Sequence, residues 1–243
     1  VDCDRFDDAA SAQSARQEIR ARHGIANDDI AVLYMGRLSH IDKVNPLPLY
    51  MALEESAKAS DRRFHFIQAG WFPNRYTEDA FRTAAAALAP SVNTVLVDGR
   101  TPETRQGIWF AADIFASTPD SIQETFGLTP LEAMAAGLAV VVSDWNGYRE
   151  TVRDGIDGIT VPTIMPGAGA GVDLAYYFAA DVTDYQGYSL ATSQSIAVDV
   201  AATAAAFTRL AGDAELRRRM GEAGRKRARE SYDWRVVVAA YQA

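Results

Sequence analysis

The sequence predicts an α/β fold, a Rossmann-like, doubly wound parallel sheet with helices on both faces. Two observations predict it. Short runs of apolar, largely β-branched residues recur without polar alternation, as strands buried on both faces do. Longer helix-period or Ala-rich segments separate them, the βαβα order of a parallel sheet. With 243 residues, 48% hydrophobic and 23% charged, the chain can bury one large core and is neither disordered nor fibrous in composition.

The elements follow in order. Residues 31–36 (AVLYMG) read as a buried strand and 46–59 as a helix. A strand is expected at 63–70 (RFHFIQAG), an Ala-rich helix before Pro90, and a third strand at 92–97. Residues 102–110 read as a helix, 114–117 as a fourth strand, 131–137 as a helix and 139–143 (AVVVS) as a fifth strand. Residues 159–162 suggest a sixth strand. The Gly-, Ala- and Pro-rich stretch 163–173 reads as a loop, and its PGAGAG lacks the spacing of a dinucleotide fingerprint. Helices are expected at 195–211, 214–230 and from Trp234. One domain is expected over 1–243: linker and lead-in helix to residue 30, parallel core over 31–162, then a loop and carboxyl-terminal helices.

The formal net charge of −8 argues against a nucleic-acid binder, which needs a basic stripe. A single cysteine, Cys3, excludes an internal disulfide and fits a reducing, cytoplasmic setting. No run of 18 apolar residues suggests a membrane span. The polar, acidic start (VDCDRFDD) is not a signal peptide and suggests that the chain begins after processing or within a longer polypeptide. Asp2-Cys3-Asp4 has a DxD form, but it precedes every strand and is read as coincidence. No metal site is expected. Residues 217–229 hold seven basic residues and one acid, read as a solvated helical face, with peripheral contact to an anionic membrane as the alternative.

Parallel sheets bind ligands beyond the carboxyl ends of their strands, which directs attention to the loops after Gly36, Gly70, Val97, Ser117 and Ser143. The most informative is STPDSIQETFGLTPLEAM, from residue 117. Here Thr129 suits a helix N-cap and Pro130 the first helical position, and Glu132 three residues after Thr129 completes a capping box. The amides of Gly127, Leu128 and the first turn would form an anion site. Glu124 and Glu132 flank them, and carboxylates accept hydrogen bonds from the vicinal hydroxyls of sugars. In YMGRLSHIDKVNP, Arg37 offers a bidentate grip and Lys43 a point charge for phosphate, just past Gly36. Arg100, in VLVDGRTPE, follows the third strand. Asp144 to Gly147 read as a tight turn or a sugar contact. Of the histidines, His40 alone lies near the phosphate loop.

ETFGLTPLE resembles the E-x7-E signature of the retaining GT-B glycosyltransferases (glycosyl transferases group 1, family 4-like), and the likeness continues through AVVVSDWNGYRET. The resemblance implies that the chain is the carboxyl-terminal, donor-binding half of a GT-B fold, without its amino-terminal acceptor domain. It also implies that Glu124 contacts donor-sugar hydroxyls and Glu132 the ribose. The amides of Phe126, Gly127 and Leu128, with Thr129 and Gly36 beside them, would hold sugar and diphosphate. Arg37 and Lys43 would stabilise the leaving group, although their spacing is one residue longer than in the commonest GRLxxxK pattern. Arg100 would lie near the base. The donor is a nucleotide diphosphate-sugar, used without metal or other cofactor, and the partner is the chain's own acceptor domain. A sugar-nucleotide epimerase of the same fold and a non-catalytic nucleotide-sugar sensor stay open; a phosphorylase and an NAD-dependent dehydrogenase lack their motifs.

Overall fold

Residues Ile30–Arg37 (β1) run through the middle of the molecule, buried on both faces for their first five positions. The structure, a computed structural model, describes residues 1–41 and 43–242. Around β1 lie Phe64–Trp71 (β2), Asn93–Asp98 (β3), Ile114–Ser117 (β4), Ala139–Ser143 (β5) and Gly158–Val161 (β6). Among the described residues these six strands form one parallel sheet in the order β3-β2-β1-β4-β5-β6. The order reverses between β1 and β4, which opens a crevice at their carboxyl ends.

Alternation along the strands sends neighbouring side chains to opposite faces. Val32 and Tyr34 of β1 join Tyr50, Leu53, Phe81 and Phe207 on one side. Helices Leu47–Lys58 (α2), Arg75–Leu88 (α3) and Val200–Gly212 (α9) supply that layer. Ala31 and Leu33 join Ile19, Trp109, Leu131 and Met134 on the other. That second layer is made by Ala9–Arg22 (α1), Pro102–Ala111 (α4) and Leu128–Ala135 (α5). Arg20 of α1 is 2% exposed. It pairs with Asp113 at 3.0 Å and donates to the carbonyls of Ala111, Ala26 and Asp29, tying α1 to the starts of β1 and β4.

Residues 1–7, expected as a linker, are packed into the fold. Val1, Cys3 and Phe6 are buried. The Val1 main-chain nitrogen donates to the Tyr232 carbonyl at 2.7 Å, and the Trp234 amide donates to the Val1 carbonyl at 3.0 Å. Asp4 pairs with Arg229 and Arg235, and Asp7 with Arg225 and Arg229.

The stretch after β6 departs from expectation. Thr163–Ile164 (β7) pairs antiparallel with Ala197–Val198 (β8), where a loop and a helix from Ser195 were expected; α9 begins only at Val200, capped by Asp199. Between them stand Val172–Ala179 (α7) and Tyr185–Ser193 (α8). They pack mainly on each other, with Phe178 stacked on Tyr188 at 5.2 Å. The basic run belongs to Ala214–Arg227 (α10) and a π turn over Ala228–Tyr232, before Trp234–Gln242 (α11). Much of it is engaged within the protein. Arg217 donates to the carbonyls of Leu210 and Ala211, Arg218 pairs with Glu215 and Glu222, and Arg227 donates to the carbonyls of Glu150 and Thr151.

Candidate functional site

A cleft of about 760 Å³ opens at the carboxyl ends of β1, β2 and β4. Of the residues singled out in the sequence, ten line it: Gly36, Arg37, Lys43, Arg100, Glu124, Phe126, Gly127, Leu128, Thr129 and Glu132. Residues spread over almost 100 positions thus share one cavity, because each follows a strand whose carboxyl end points the same way.

The loop from Pro119 to Phe126 is held from beneath. The Ser143 hydroxyl donates to the Pro119 carbonyl at 2.9 Å, and the Trp145 indole donates to the Ser121 carbonyl at 3.0 Å. The stretch Asp144 to Gly147 is therefore a supporting turn, with Trp145 buried and Asp144 paired to Arg149; it does not line the cleft. Asp120 is buried in the same loop. Burial pushes the Asp120 carboxyl up to about 6.

The capping box does not form. Helix α5 begins at Leu128, and its N-cap is Gly127 at φ 77°, with no side-chain cap. A left-handed glycine turns the chain sharply enough to start the helix before Thr129 can cap it. Pro130 then falls at the third helical position, where its missing N–H would have no intrahelical partner anyway. The helix end stays open towards the cleft, where its amides and dipole favour an anion. Phe126 turns its ring outwards against Tyr232, with centroids 6.1 Å apart.

Two acid–base pairs face the cavity. Lys43 Nζ lies 3.6 Å from Glu124, and Arg5 lies 3.6 Å from Glu132. Burial pushes the Glu132 carboxyl up, and the charges of Arg5 and Arg105 pull it partly back. Arg37 is the last residue of β1 and pairs in register with Trp71, so the strand runs one residue further than expected. Arg100 is gripped by Asp98 through two guanidinium bonds of 2.9 and 2.8 Å.

Sequence reasoning missed several lining residues: Arg5, Trp71, Arg105, Trp109 and Tyr148. Trp71 could have been found, since it stands directly at a strand end beside a glycine. Tyr148 is fully buried behind Gly127, its hydroxyl 3.1 Å from Ser117; burial holds the phenol far above its usual range. His40 is half-buried and outside the lining. His65 is buried at the start of β2, bonded to Asp29 at 2.7 Å and Asn93 at 2.9 Å, and His23 ends α1. Among the described residues, no group of three or more His, Cys, Asp or Glu is placed to hold a metal ion.

Comparison with known proteins bears on the family and the fold. A family model described as glycosyl transferases group 1 matches residues 15–166. An alpha-maltose-1-phosphate synthase of Mycobacterium tuberculosis (strain CDC 1551 / Oshkosh) is 32% identical over 162 residues, 66% of this chain and 34% of the synthase. The chain therefore spans about a third of that relative's length. The crystal structure of Anabaena Alr3699/HepE in complex with UDP shares the fold, with a TM-score of 0.65 and 17% identity over 100% of this chain and 54% of that one. So does the C-terminal domain of a glycosyl transferase group 1 family protein (LpcC) from Francisella tularensis, with a TM-score of 0.63 and 18% identity over 96% of this chain and 99% of that one. With the family match extending over more than half of its residues, the chain belongs to the glycosyl transferases group 1 family.

Proposed function

We propose that the chain is the donor-binding, carboxyl-terminal half of a retaining GT-B glycosyltransferase. With an acceptor domain it would move a sugar from a nucleotide diphosphate to an acceptor hydroxyl. The observation that carries this reading is one cleft that brings together Arg37, Lys43, an open helix end and the carboxylates of Glu124 and Glu132. Arg37, Lys43 and the α5 amides would hold the diphosphate and stabilise it as it leaves. Glu132 would accept from the ribose hydroxyls, and Glu124, oriented by Lys43, from hydroxyls of the sugar. These cations and amides would offset the diphosphate charge without a metal ion. Because the acceptor would be held by another domain, the chain alone should turn over poorly beside a full-length form.

Calorimetric titration with UDP, GDP, ADP and their sugar conjugates, with and without Mg²⁺, tests the reading. Binding of at least one nucleotide, equal in both conditions, is expected. Arg37→Ala and Glu132→Ala should each weaken it roughly tenfold or more, since hydrogen bonds to charged groups contribute about 1.5–3 kcal/mol. No binding by any nucleotide would count against the proposal. Once the chain is joined to an acceptor domain, a transferred sugar marks a transferase, whereas an altered sugar formed without acceptor marks an epimerase.

The Glu132 environment adds a pH dependence. The ionised carboxylate is the form that accepts both ribose hydroxyls, and its pKa in the free protein lies above the usual ~4.3. Affinity should therefore fall as pH drops through that raised range. Arg5→Met removes a cation that favours ionisation, so the fall should begin at higher pH; Glu132→Gln should remove this component altogether. Titrations between about pH 5 and 8 on the three proteins check this, the nucleotide's own protonation being common to all.

A further inference from the structure

We propose that the α7–α8 excursion is a binding surface for an uncharged, hydroxyl-rich glycan chain, on the side of the sheet where the cleft opens. The excursion occupies residues 163–198, from β7 to β8, and its base is fixed at two points. The Thr163 hydroxyl donates to the Asp144 carbonyl at 2.6 Å, and the Asp199 amide donates to the Pro162 carbonyl at 2.9 Å. Pro162 directly follows β6, which runs parallel to β5 and β4. The base therefore stands at the same strand ends as the cleft. Two strand spacings, roughly 10 Å, separate β6 from β4, the strand that leads to Glu124. A glycan held there would stand on the Glu124 side of the cleft. Its place beside a donor sugar rests on the donor-binding reading; its binding to the excursion does not.

The surface is aromatic and wet. No residue of α7 is buried, and Tyr176, Tyr177, Phe178 and Tyr185 are each at least 40% exposed. The rings of Tyr176 and Tyr177 lie 6.1 Å apart, and those of Phe178 and Tyr185 6.0 Å apart. A group of large side chains left in water this way marks a surface that meets something. Charge selects the occupant. Residues 163–198 hold Asp173, Asp181 and Asp184 but no Lys, Arg or His. Asp184 caps α8 through the Gly187 amide. The carboxylates of Asp173 and Asp181 are exposed and have no hydrogen-bond or ion-pair partner among the described residues. Asp173 precedes Tyr176 and Tyr177 by one helical turn, so carboxylate and rings share a face. Sugar hydroxyls donate to carboxylates, and the C–H face of a pyranose packs on the negative face of an aromatic ring. One glycan satisfies both. An anionic membrane or a nucleic acid needs basic residues, which this surface lacks. A second copy docked through the same face about a two-fold axis would set like carboxylates against each other.

The test uses the full chain, the double variant Tyr176→Ser/Tyr177→Ser and Asp173→Ala, all at positions outside the core. Each is run by affinity electrophoresis through gels containing amylopectin, dextran or galactomannan, with anionic alginate as the control. At least one neutral polysaccharide should retard the wild-type chain, and alginate should not. The double variant should lose roughly five- to a hundredfold in affinity, the range expected for two aromatic contacts. Asp173→Ala should lose about three- to tenfold. Nucleotide affinity should stay at the wild-type value in both. No retardation by any neutral polysaccharide, or retardation that survives in the double variant, overturns the proposal. So does a double variant that loses nucleotide affinity in the same proportion. Binding to phosphatidylcholine vesicles, or a dimer in sedimentation velocity, that the double variant abolishes in the absence of glycan binding assigns the face to lipid or to a second copy instead. A wild-type chain that is retarded but binds no nucleotide leaves the surface standing and sinks the donor reading.

Discussion

Gly127→Ala should destabilise the protein by about 2–4 kcal/mol and remove nucleotide binding. Two costs combine at this residue. Its φ of 77° lies in the left-handed region, and a Cβ would stand 2.0 Å from the ring of Tyr148. Tyr148 is fully buried and cannot retreat without disturbing Ser117 at the end of β4. The strain would be relieved by moving the chain from Glu124 to Leu128, which displaces both a carboxylate and the open helix end. Gly155→Ala separates the two costs. Gly155 has φ 72° but open space around its Cβ position, so about 1 kcal/mol and unchanged binding are expected. Urea unfolding and calorimetry on the two variants measure this; equal effects would place the whole cost in the backbone.

Arg20→Met should cost about 2–4 kcal/mol, because it leaves the carbonyls of Ala111, Ala26 and Asp29 and one oxygen of the half-buried Asp113 carboxylate without their donor. Asp113, the partner of Arg20, also accepts from the Ala31 amide at 2.8 Å and pairs with Arg16 at 2.7 Å. The ion pair thus fastens the amino ends of β1 and β4, the two strands between which the crevice opens. Asp113→Ala should be similarly costly, and the double variant should cost less than the two single losses added together. A fall in the urea midpoint at constant slope would report stability alone. A loss below about 1 kcal/mol would mean that water replaces the guanidinium.

The sheet was legible because its central strands are buried on both faces, so apolar runs such as AVVVS carry the signal without help from neighbours. The candidate cleft was legible for a related reason: in a parallel sheet every strand ends on the same side, so residues at or just past those ends come to line one cavity. Three features were not legible. Helices α7 and α8 lack an apolar stripe facing the main core, and α7 contains no buried residue, so periodicity gave no signal there. The start of α5 was misplaced because TPLE offers good capping chemistry, whereas the turn geometry is set by Gly127 against Tyr148, 21 residues away and visible only after folding. Arg5 reaches Glu132 from the amino-terminal segment, a long-range pairing that no local pattern announces.

The meeting of residue 1 with residues 232–234 has a mechanical consequence. Residues 1–7 are held against residues 225–235 at one pole of the domain, through two main-chain hydrogen bonds and a ring of arginine–aspartate pairs. Arg5 sits four residues from Val1 in this segment and pairs with Glu132. The placement of the amino-terminal segment and the electrostatics of the cleft are therefore joined by one side chain: whatever shifts residues 1–7 shifts the charge beside Glu132.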